Sequence, residues 1–570
     1  MRRRTVLKAL AGAVVIPVAA SCDRSFSSGR SSSLSGGKTY SLTFDTSSYT
    51  TKTKTVRTGN GTRKVKYRFY RNNVYVQRPV NYKYQSLNVS VPVEIDGKAV
   101  DAASAPVMFA INVGGYTSSS SWGATAQGGG MSAGAFGGGF GSSGPGSKRG
   151  APGGPGAQGD GAPGGSGPSG GASLGASSVG LGSSMSSYYT SYDDGEMALA
   201  NGYVVVEPGC RGRDLRWPDG RYYGKAPAMI VDLKAAIRYL RYNKGRIPGN
   251  TGWIITSGGS AGGALSALLA ASGNSSLYDA DLTALGAADT GDNVFLSASY
   301  SPITDLDHAD MQYEWMYGTL PYAGGGTPGN TSGSSSGTGK LVNQTYSGQL
   351  RKAFAGYMDT LALPGLNGYG TLTAENYASY LRKEYLEPSA AKALSQTLTA
   401  AERDKYLQDN TWITWSAGRA TFSWDKFLDH IGSRSKNVPA FDAFDLSATE
   451  NSVYGDATRN ARHFTLYSLR HATGNPSAQL ASDLPQTIAM MNPLYHLRRK
   501  NPSRARYWWI RTGTLDTNTA HTVVSNLAAL TSELGDSVNS AMYWVGGHAV
   551  NFDSPDLIDR VGKLTGYSVM

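Results

Sequence analysis

Continuous apolar runs alternate with amphipathic stretches through the middle of the chain. The runs "GYVVVEPG" (202–209), "GWIITSG" (252–258) and "VFLSASYSP" (294–302) have the pattern of strands that are buried on both faces of a parallel sheet. Between them, "APAMIVDLKAAIRYLRYN" (226–243) and "AGGALSALLAAS" (261–272) repeat apolar residues at helical spacing. This alternation predicts βαβ units with right-handed crossovers, and therefore an α/β fold with a mostly parallel sheet.

The same pattern extends to both ends of the predicted fold. Residues 39–92 favour strands, as in "TYSLTF", "VKYRFY" and "SLNVSVPV", and "APVMFAINVGGY" (105–116) reads as a continuous buried strand. The alternation stops near Ile303. It returns as a strand at 506–514 ("RYWWIRTGT"), a helix at 520–535, a strand at 539–547 and a last helix near 554–566.

The intervals between these elements predict the domain organisation. Residues 303–495, rich in predicted helix, Tyr and Trp, indicate a cap inserted into an α/β core made of residues 39–302 and 496–570. Two Gly/Ser-rich tracts interrupt the pattern, at 117–187 and at about 324–340. The first cannot bury enough apolar area to offset its ordering entropy, so we expect it to be disordered.

The N-terminal residues 1–22 have the pattern of a bacterial export signal. An arginine cluster precedes an apolar run that is too short to span a bilayer. "RRTVLK" resembles a twin-arginine motif, and "AASC" resembles a lipobox in which Cys22 would carry lipid. A Ser/Gly tether (23–38) follows. We expect an exported protein that is lipid-anchored at the cell envelope, on the outer face of the cytoplasmic membrane or in the periplasm. The alternative is a plain cleaved signal.

Composition and charge narrow the function classes. The 570 residues are 40% hydrophobic and 16% charged, which suits a soluble globular enzyme. The formal net charge of +12 is spread along the chain without the basic run typical of nucleic-acid binding. The cysteines are Cys22 and Cys210, so a lipidated Cys22 leaves no intrachain disulfide. No spacing typical of metal ligands occurs, and we expect neither a metal nor an organic cofactor.

The pattern G-x-S-x-G marks a candidate nucleophile. It occurs five times, centred on Ser132, Ser169, Ser173, Ser260 and Ser335. Only Ser260 follows a buried strand ("WIIT") and precedes a helix, the context in which glycines permit a strained turn and helix amides face a developing oxyanion. The alternative is a Gly-rich structural turn or a phosphate-binding turn, although the P-loop pattern is not met.

A base and an acid follow in the chain order Ser, Asp, His. His548, in "MYWVGGHAVNFD", opens a loop after a late apolar strand, and Asp516, in "WWIRTGTLDTN", ends the preceding strand. Both positions are at the carboxyl ends of strands, where α/β sheets place their ligands. The alternative for His548 is a solvated loop histidine, and the alternative for Asp516 is a helix N-cap. His308, in "ITDLDHADM", is the main rival base.

The oxyanion hole needs two backbone amides. The amide of Ala261, directly after the candidate nucleophile, is the first. "NVGGY" occupies the place of the HGGG-type loop of esterases, so we expect Gly114 or Gly115 to supply the second. A simple glycine turn is the alternative.

Several longer segments resemble the bacterial tannases, which are serine esterases of the α/β-hydrolase fold. The resemblance covers the chain from about residue 60 onward. It is carried by "PDGRYYGKAPAMIVDLKAAIRYLRYN", "GGSAGGALSALLAASGN", "SPITDLDHADMQYEWMY" and "PAFDAFDLSATEN", and by the C-terminal Asp and His. It implies that Ser260, Asp516 and His548 form a catalytic triad and that residues 303–495 form a lid over the pocket.

The resemblance also implies a site for galloyl hydroxyls. This family grips them with a cap lysine, a cap glutamate and an aspartate just after the catalytic one. Lys436 and Glu450 match the first two, whereas Asn518 stands where the family has the aspartate. An amide can hydrogen-bond a phenol without supplying charge. The alternative for Lys436 and Glu450 is an ordinary exposed charge.

The sequence therefore predicts an exported serine esterase that acts on gallate or related phenolic esters through an acyl-enzyme. Its expected partners are a small phenolic ester and, through the lipid anchor alone, a membrane. One alternative is a feruloyl or general carboxylesterase. Another is a non-catalytic surface lipoprotein that binds polyphenols through the 117–187 tract.

Overall fold

The structure is a computed structural model, which describes residues 37–122, 189–323 and 339–569. The strands are β1 Thr50–Thr58, β2 Gly61–Val74, β3 Ser86–Ile95, β4 Lys98–Ala99, β5 Val107–Ala110, β6 Val204–Pro208, β7 Ile254–Gly259, β8 Leu296–Tyr300, β9 Pro364–Gly365, β10 Gly370–Thr371, β11 Thr414–Ser416, β12 Arg419–Thr421, β13 Tyr507–Gly513 and β14 Ser537–Tyr543.

The helices cover both faces of the large sheet and fill the region between β8 and β13. They are α1 Asp194–Ala200, α2 Ala228–Tyr242, α3 Ala261–Ala271, α4 Asp279–Leu285, α5 Leu306–Tyr317, α6 Gln344–Leu361, α7 Tyr377–Leu381, α8 Glu387–Lys392, α9 Ala400–Asp409, α10 Trp424–Ile431, α11 Thr449–Val453, α12 Leu466–Thr473, α13 Leu484–Met491, α14 Pro493–Leu497, α15 His521–Glu533 and α16 Ser554–Thr565. Short 3₁₀ segments lie at Ser276–Tyr278 and Leu366–Gly368, and π-helical turns at Arg382–Leu386 and Ala393–Thr397.

The large sheet has the strand order β1-β2-β3-β6-β5-β7-β8-β13-β14, with β4 paired to β3. Strands β6, β5, β7, β8, β13 and β14 run parallel. Strands β1, β2 and β3 extend one edge in antiparallel fashion. The expected α/β class with a mostly parallel sheet is therefore confirmed.

Neighbouring residues of the central strands enter different cores. On β7, Ile254 belongs to the larger apolar cluster and Ile255 to the smaller one on the opposite face. Side chains of α2, α3 and α15 pack in the larger cluster, whereas those of α1 and α16 pack in the smaller. Because the sheet is covered on both faces, its central strands read as continuous apolar runs.

Two strand predictions need correction. "TYSLTF" forms no strand, because its buried Phe44 packs on Tyr70 and donates its backbone N–H to Asn243 at the end of α2, 2.8 Å away. The first strand is instead β1, joined to β2 by a tight turn. The strand predicted at 105–116 ends at Ala110, because the chain then turns over the start of α3 to form the "NVGGY" loop.

The start of the predicted disordered insertion is also corrected. Residues 117–122 are fixed to the core, because Ser119 and Cys210 exchange two backbone hydrogen bonds of 3.0 and 2.9 Å. Residues 123–188 and 324–338 lie outside the described residues, as do residues 1–36 with the predicted leader, Cys22 and most of the tether. Cys210 is a buried free thiol.

Helices α5 to α14 and the ribbons β9–β10 and β11–β12 occupy the stretch between β8 and β13, and within its described part no strand joins the large sheet. Buried hydroxyls connect this stretch to the core. Tyr377 Oη donates to Asn526 Oδ1 on α15 at 2.6 Å, and the Trp544 indole donates to Tyr406 Oη at 2.9 Å. Among the described helices, none combines the length and apolar character needed to cross a membrane. The boundaries 303–495 stay a prediction.

Candidate active site

Ser260 occupies a strained turn between β7 and α3. Its φ and ψ of 57° and −122° lie in a region that side-chain-bearing residues seldom adopt. The turn closes only because two neighbours lack a Cβ. A Cβ at Gly258 would lie 2.5 Å from the carbonyl carbon of Gly262, and one at Gly262 would lie 2.7 Å from the carbonyl oxygen of Ile111. The glycines of this sequence therefore allow the strained backbone at Ser260.

The structure brings Ser260, His548 and Asp516 into contact. His548 Nε2 lies 2.8 Å from Ser260 Oγ, and His548 Nδ1 lies 3.0 and 2.9 Å from the two carboxylate oxygens of Asp516. Asp516 is fully buried in its side chain, whereas His548 keeps 16% of its side chain exposed. This arrangement can move a proton from a hydroxyl to an imidazole whose other nitrogen is held by a carboxylate.

The Asp516 carboxylate is held in its charged form. Burial would raise the pKa of Asp516, but the adjacent His548 and its hydrogen bond, together with the Asn518 amide, hold that pKa below its usual value. The Asn518 N–H donates to Oδ1 at 2.8 Å, and Thr512 Oγ1 donates to Oδ2 at 3.2 Å. A persistent anion at this position fixes the imidazole orientation.

The His548 loop is positioned by two residues that sequence reasoning missed. Ser301 Oγ accepts the backbone N–H of Ala549 at 2.9 Å. Asp194, at the start of α1, accepts from Asn551 Nδ2 at 2.8 Å and from the hydroxyls of Ser257 and Ser554. Burial raises the pKa of Asp194. No sequence motif distinguishes these residues, because their role depends on loops that meet only in the folded chain.

The predicted oxyanion loop lies against the start of α3. The Gly262 N–H donates to Val113 O at 2.9 Å, and the Thr117 N–H donates to Gly114 O at 3.0 Å. Since the N–H and C=O of a trans peptide point in opposite directions, the Gly115 N–H points away from that turn. Gly115 has a φ of +53°, which favours glycine.

Arg213 connects this loop to the cap region and was also missed. Its Nε donates to Gly115 O at 2.6 Å, and its Nη1 donates to Ser452 Oγ on α11 at 2.9 Å. Burial lowers the pKa of Arg213, an effect that Glu450 and Asp214 oppose. The same α11 carries Glu450, so the guanidinium links the oxyanion loop to the helix of the predicted galloyl site.

Lys436 and Glu450 are buried rather than exposed, which excludes the alternative of ordinary surface charges. Lys436 Nζ lies 3.6 Å from Glu450 Oε1 and 3.7 Å from the centre of the Phe441 ring. Glu450 Oε2 is buried and accepts no hydrogen bond from any described residue. A buried carboxylate oxygen without a donor is costly, and a ligand hydroxyl would satisfy it.

The residue next to Asn518 in the chain contacts the segment that contains Lys436. Ser435 Oγ donates to Thr517 O at 2.6 Å, and Tyr313 Oη donates to the same oxygen at 2.7 Å. The Lys436 N–H donates to Tyr313 Oη at 3.2 Å. The chain segments of two predicted galloyl contacts are therefore adjacent, next to the Asp516 end of the triad.

His308 is not positioned as the base. Its Nδ1 lies 3.0 Å from Asp305 Oδ1, and its ring stacks on Tyr357 with centroids 4.1 Å apart. Burial would lower the pKa of His308, but Asp305 and Asp307 raise it to about 11. An imidazole held protonated by two carboxylates is a poor base, and Ser260 Oγ contacts His548 instead.

Asp305, Asp307 and His308 form the one group in the described part of the chain whose side chains could jointly hold a metal ion. The Asp305 oxygens are already used by protein donors. Gln312 Nε2 and Asn492 Nδ2 donate to them at 2.8 and 2.9 Å. The cluster is explained as a partly buried ion pair within the fold.

One family model and several solved structures are similar to this chain. Residues 182–319 match the BD-FAE family model. The crystal structure of Fusobacterium nucleatum tannase is 30% identical with a TM-score of 0.70, over 92% of this chain and 100% of that one. The native tannin acyl hydrolase from Lactobacillus plantarum is 30% identical with a TM-score of 0.69, over 92% and 99%. A tannin acyl hydrolase in complex with ethyl gallate is 29% identical with a TM-score of 0.67, over the same shares. No curated protein sequence matches the chain.

Proposed function

The chain belongs to the bacterial tannase family of α/β-hydrolases and is a carboxylic ester hydrolase, and we propose that it cleaves galloyl esters through Ser260, His548 and Asp516. The observation that carries the proposal is the contact chain from Ser260 Oγ to His548 and from His548 to Asp516. The similar tannin acyl hydrolase bound to ethyl gallate supports the substrate class.

Acylation uses the hydrogen bond between Ser260 and His548. As Ser260 Oγ attacks the ester carbonyl, its proton passes to His548 Nε2, and Asp516 stabilises the imidazolium. The carbonyl oxygen becomes an oxyanion that accepts from the amides of Ala261 and of Gly115 or Gly114. Each such donor contributes on the order of 3 kcal/mol to transition-state stabilisation. When the intermediate collapses, the alcohol leaves with the proton from His548.

Deacylation repeats the sequence with water. His548 Nε2 accepts a proton from the water as its oxygen attacks the acyl carbonyl on Ser260. Collapse of the second tetrahedral intermediate breaks the bond to Ser260 Oγ, which regains its proton from His548. The phenolic acid is released, and the enzyme returns to its starting state without a cofactor.

Galloyl recognition is assigned to Glu450, Lys436 and Asn518. The unpartnered Glu450 Oε2 would accept from ring hydroxyls, with the Lys436 ammonium balancing the buried negative charge. The Asn518 amide would supply a further, uncharged contact. A site built for hydroxyls discriminates strongly against rings that lack them, since its polar groups are then left unpaired.

A substrate panel tests the assignment. We expect kcat/KM to fall from methyl gallate through methyl protocatechuate to methyl benzoate, with a much larger difference than one apolar contact gives. Equal cleavage of methyl benzoate and methyl gallate would contradict galloyl specificity. Faster cleavage of methyl ferulate than of methyl gallate would favour the feruloyl esterase alternative.

Ser260→Ala tests the nucleophile and the non-catalytic alternative together. We expect turnover of methyl gallate to fall by several orders of magnitude while ligand binding persists. Ser335→Ala is a matched control, because it alters another G-x-S-x-G sequence and should retain activity. Unchanged turnover in Ser260→Ala would remove Ser260 from the mechanism. A wild-type protein that binds polyphenols without any turnover would favour the surface-lipoprotein alternative.

We also propose that the protein is exported and lipid-anchored through Cys22, on the strength of "RRTVLK" and "AASC". When it is expressed in a bacterial host, the wild-type chain should fractionate with membranes and incorporate labelled fatty acid. Cys22→Ala should abolish both, whereas Cys210→Ala should abolish neither. A wild-type chain that is exported without lipid would indicate a plain cleaved signal.

A further inference from the structure

A cleft of about 510 Å³ lies apart from the triad, between the segment that precedes β1, the end of β2 and residue Trp122. Three aromatic rings line it in a row. Tyr40 stacks on Tyr82 with centroids 6.2 Å apart, and Tyr82 meets Trp122 edge to face at 5.5 Å. Its rim includes the polar residues Lys38, Asp45, Asn72 and Asn73.

Trp122 is exposed yet fixed. Its indole N–H donates to the fully buried Ser86 Oγ at 2.9 Å, and its backbone N–H donates to Ser120 Oγ at 3.2 Å. The side chain nevertheless keeps 40% of its surface exposed. Because the polar edge of the indole is bonded inward, the ring offers an apolar face that loses little conformational entropy when a ligand stacks on it.

The rim carries an acceptor that suits a ring with adjacent hydroxyls. The Asp45 carboxylate is exposed, and its Oδ1 accepts from the Ser47 N–H at 2.9 Å and from the Ser47 hydroxyl at 2.6 Å. These bonds lower the pKa of Asp45, so the group stays anionic. A carboxylate beside aromatic faces can accept from phenol hydroxyls while the ligand ring stacks.

The cleft lies at the same edge of the sheet as the nucleophile. Val74 at the end of β2 pairs with Ser86 at the start of β3, and Leu87 pairs with Pro208 at the carboxyl end of β6. Strand β7, which leads to Ser260, is four strand positions away from β2. At about 4.8 Å per strand, the end of β2 is about 20 Å from the end of β7.

We propose that this cleft binds a second phenolic ring of a substrate that carries several galloyl groups, while another galloyl ester is cleaved at Ser260. The inference rests on the proposed function for the identity of the ring. The cleft and the triad share one edge, and residues 116–122 connect the Gly114-Gly115 loop to Trp122. Small esters such as methyl gallate, which have one ring, cannot occupy both places at once.

Kinetics with two substrates test the proposal. In Trp122→Ala and Tyr82→Ala, KM for pentagalloyl glucose should rise about five- to tenfold, in keeping with the loss of one stacked ring. The kcat/KM for methyl gallate should stay within twofold. Tyr49→Ala is the matched control, because Tyr49 is 41% exposed and does not line the cleft. An unchanged KM for pentagalloyl glucose, or equal losses on both esters, would overturn the proposal.

A binding experiment separates this proposal from the proposed function. Calorimetric titration of methyl gallate into Ser260→Ala should reveal two classes of site, and adding Trp122→Ala should remove the weaker class alone. If wild-type protein fails to cleave methyl gallate but the Trp122-dependent class is present, the proposed function fails and the cleft stands. If that class is absent, or if methyl glucoside fills it in place of methyl gallate, the cleft does not bind phenolic rings.

Discussion

At the residue scale, the candidate site depends on two glycines that have no Cβ. Ser260 keeps its positive φ because Gly258 and Gly262 allow backbone to approach within distances that a Cβ forbids. The Gly262 amide meanwhile binds Val113 O, which fixes the oxyanion loop to the same turn. One glycine therefore serves both the nucleophile and the loop that faces it.

Gly262→Ala should impair both the turn that carries Ser260 and the loop that faces it. The new Cβ would lie 2.7 Å from Ile111 O, so the turn must open, at a cost of roughly 1–3 kcal/mol in the free energy of unfolding. We expect kcat for methyl gallate to fall at least tenfold, as measured by steady-state kinetics, with a lower Tm. Gly348→Ala on α6 is the control, because a Cβ there meets nothing within 4 Å and should be neutral or stabilising. Full activity in Gly262→Ala would contradict this account of the turn.

Arg213→Ala should weaken catalysis through the oxyanion loop, since Arg213 contacts Gly115 O and Ser452 rather than any reacting atom. We expect kcat to fall about tenfold, in keeping with an oxyanion donor displaced but not removed. KM should change less than kcat, and the Tm should stay near the wild-type value, which separates this effect from a general loss of folding. Arg213→Lys should not restore activity, because one ammonium cannot span both acceptors. A change confined to KM would assign Arg213 to substrate binding instead.

Asn518→Asp should sharpen the preference for gallate. A carboxylate makes a stronger hydrogen bond to a phenol hydroxyl than an amide does, by about 1 kcal/mol. The ratio of kcat/KM for methyl gallate to that for methyl benzoate should therefore rise about fivefold. Asn518→Ala is the comparison, and it should lower the same ratio. If neither substitution changes the ratio, Asn518 does not contact the ring.

At the element scale, α5 joins the core to the cap region. The residue that precedes its first turn is Asp305, whose carboxylate binds donors on α5, on α6 and at the start of α14. One turn later, Asp310 accepts the N–H groups of Phe441 and Asp442 at 2.7 and 3.2 Å. This helix therefore positions the segment that runs from Lys436 towards α11.

The buried Asp310 predicts a pH dependence of stability. Burial, with the nearby Asp442 charge, raises the pKa of Asp310 to about 7, well above the value of about 3.9 in an unfolded chain. Between these values the folded state binds more protons, so the free energy of unfolding falls as pH rises from about 4 to about 7. This contribution by itself makes the Tm lower at pH 8 than at pH 5, whereas His430 and His521, whose pKa burial lowers to about 4, contribute in the opposite direction.

Asp310→Asn should reduce that difference, as thermal unfolding at the two pH values would reveal. Part of the slope should persist, because burial also raises the pKa of Glu207 to about 7. An identical slope in Asp310→Asn and in the wild type would contradict the assignment.

At the scale of the whole molecule, one apolar cluster continues from the sheet into the cap region. It contains Leu265 on α3, Leu527 on α15 and, beyond β8, Phe354 and Phe427. The hydroxyl of Tyr377 and the indole of Trp544 add polar contacts across the same boundary. Interfaces of this kind resemble the interior of a single domain.

Thermal unfolding should therefore proceed in one transition. Near-ultraviolet circular dichroism, which reports the packing of aromatic side chains in both the core and the cap region, and far-ultraviolet circular dichroism should give the same Tm. Tyr377→Phe should lower both values together, by an amount that corresponds to about 1 kcal/mol. Two separated transitions would indicate a cap that folds on its own.

The resemblance to tannases and the mostly parallel sheet could be predicted from sequence, because buried strands and the turn around Ser260 leave local patterns. "WIIT" before Ser260 and "ALSALLAA" after it distinguish this serine from those in the other G-x-S-x-G sequences without any tertiary information. The chain order Ser, Asp, His likewise favoured Asp516 and His548 as the partners of Ser260. The strand predicted at "TYSLTF" was wrong, because Phe44 is buried through a contact with α2 that no local pattern records.

The sequence by itself determined the fold class and the residues from which a triad can be built, since both follow from local periodicity and spacing. Only the tertiary structure decided which groups meet. It paired His548 rather than His308 with Ser260, and it buried Lys436 against Glu450. It also revealed Arg213, Ser301 and Asp194 as supports, and Trp122 as part of an aromatic cleft. These contacts join residues far apart in the chain, so their physical basis is packing, which local sequence does not encode.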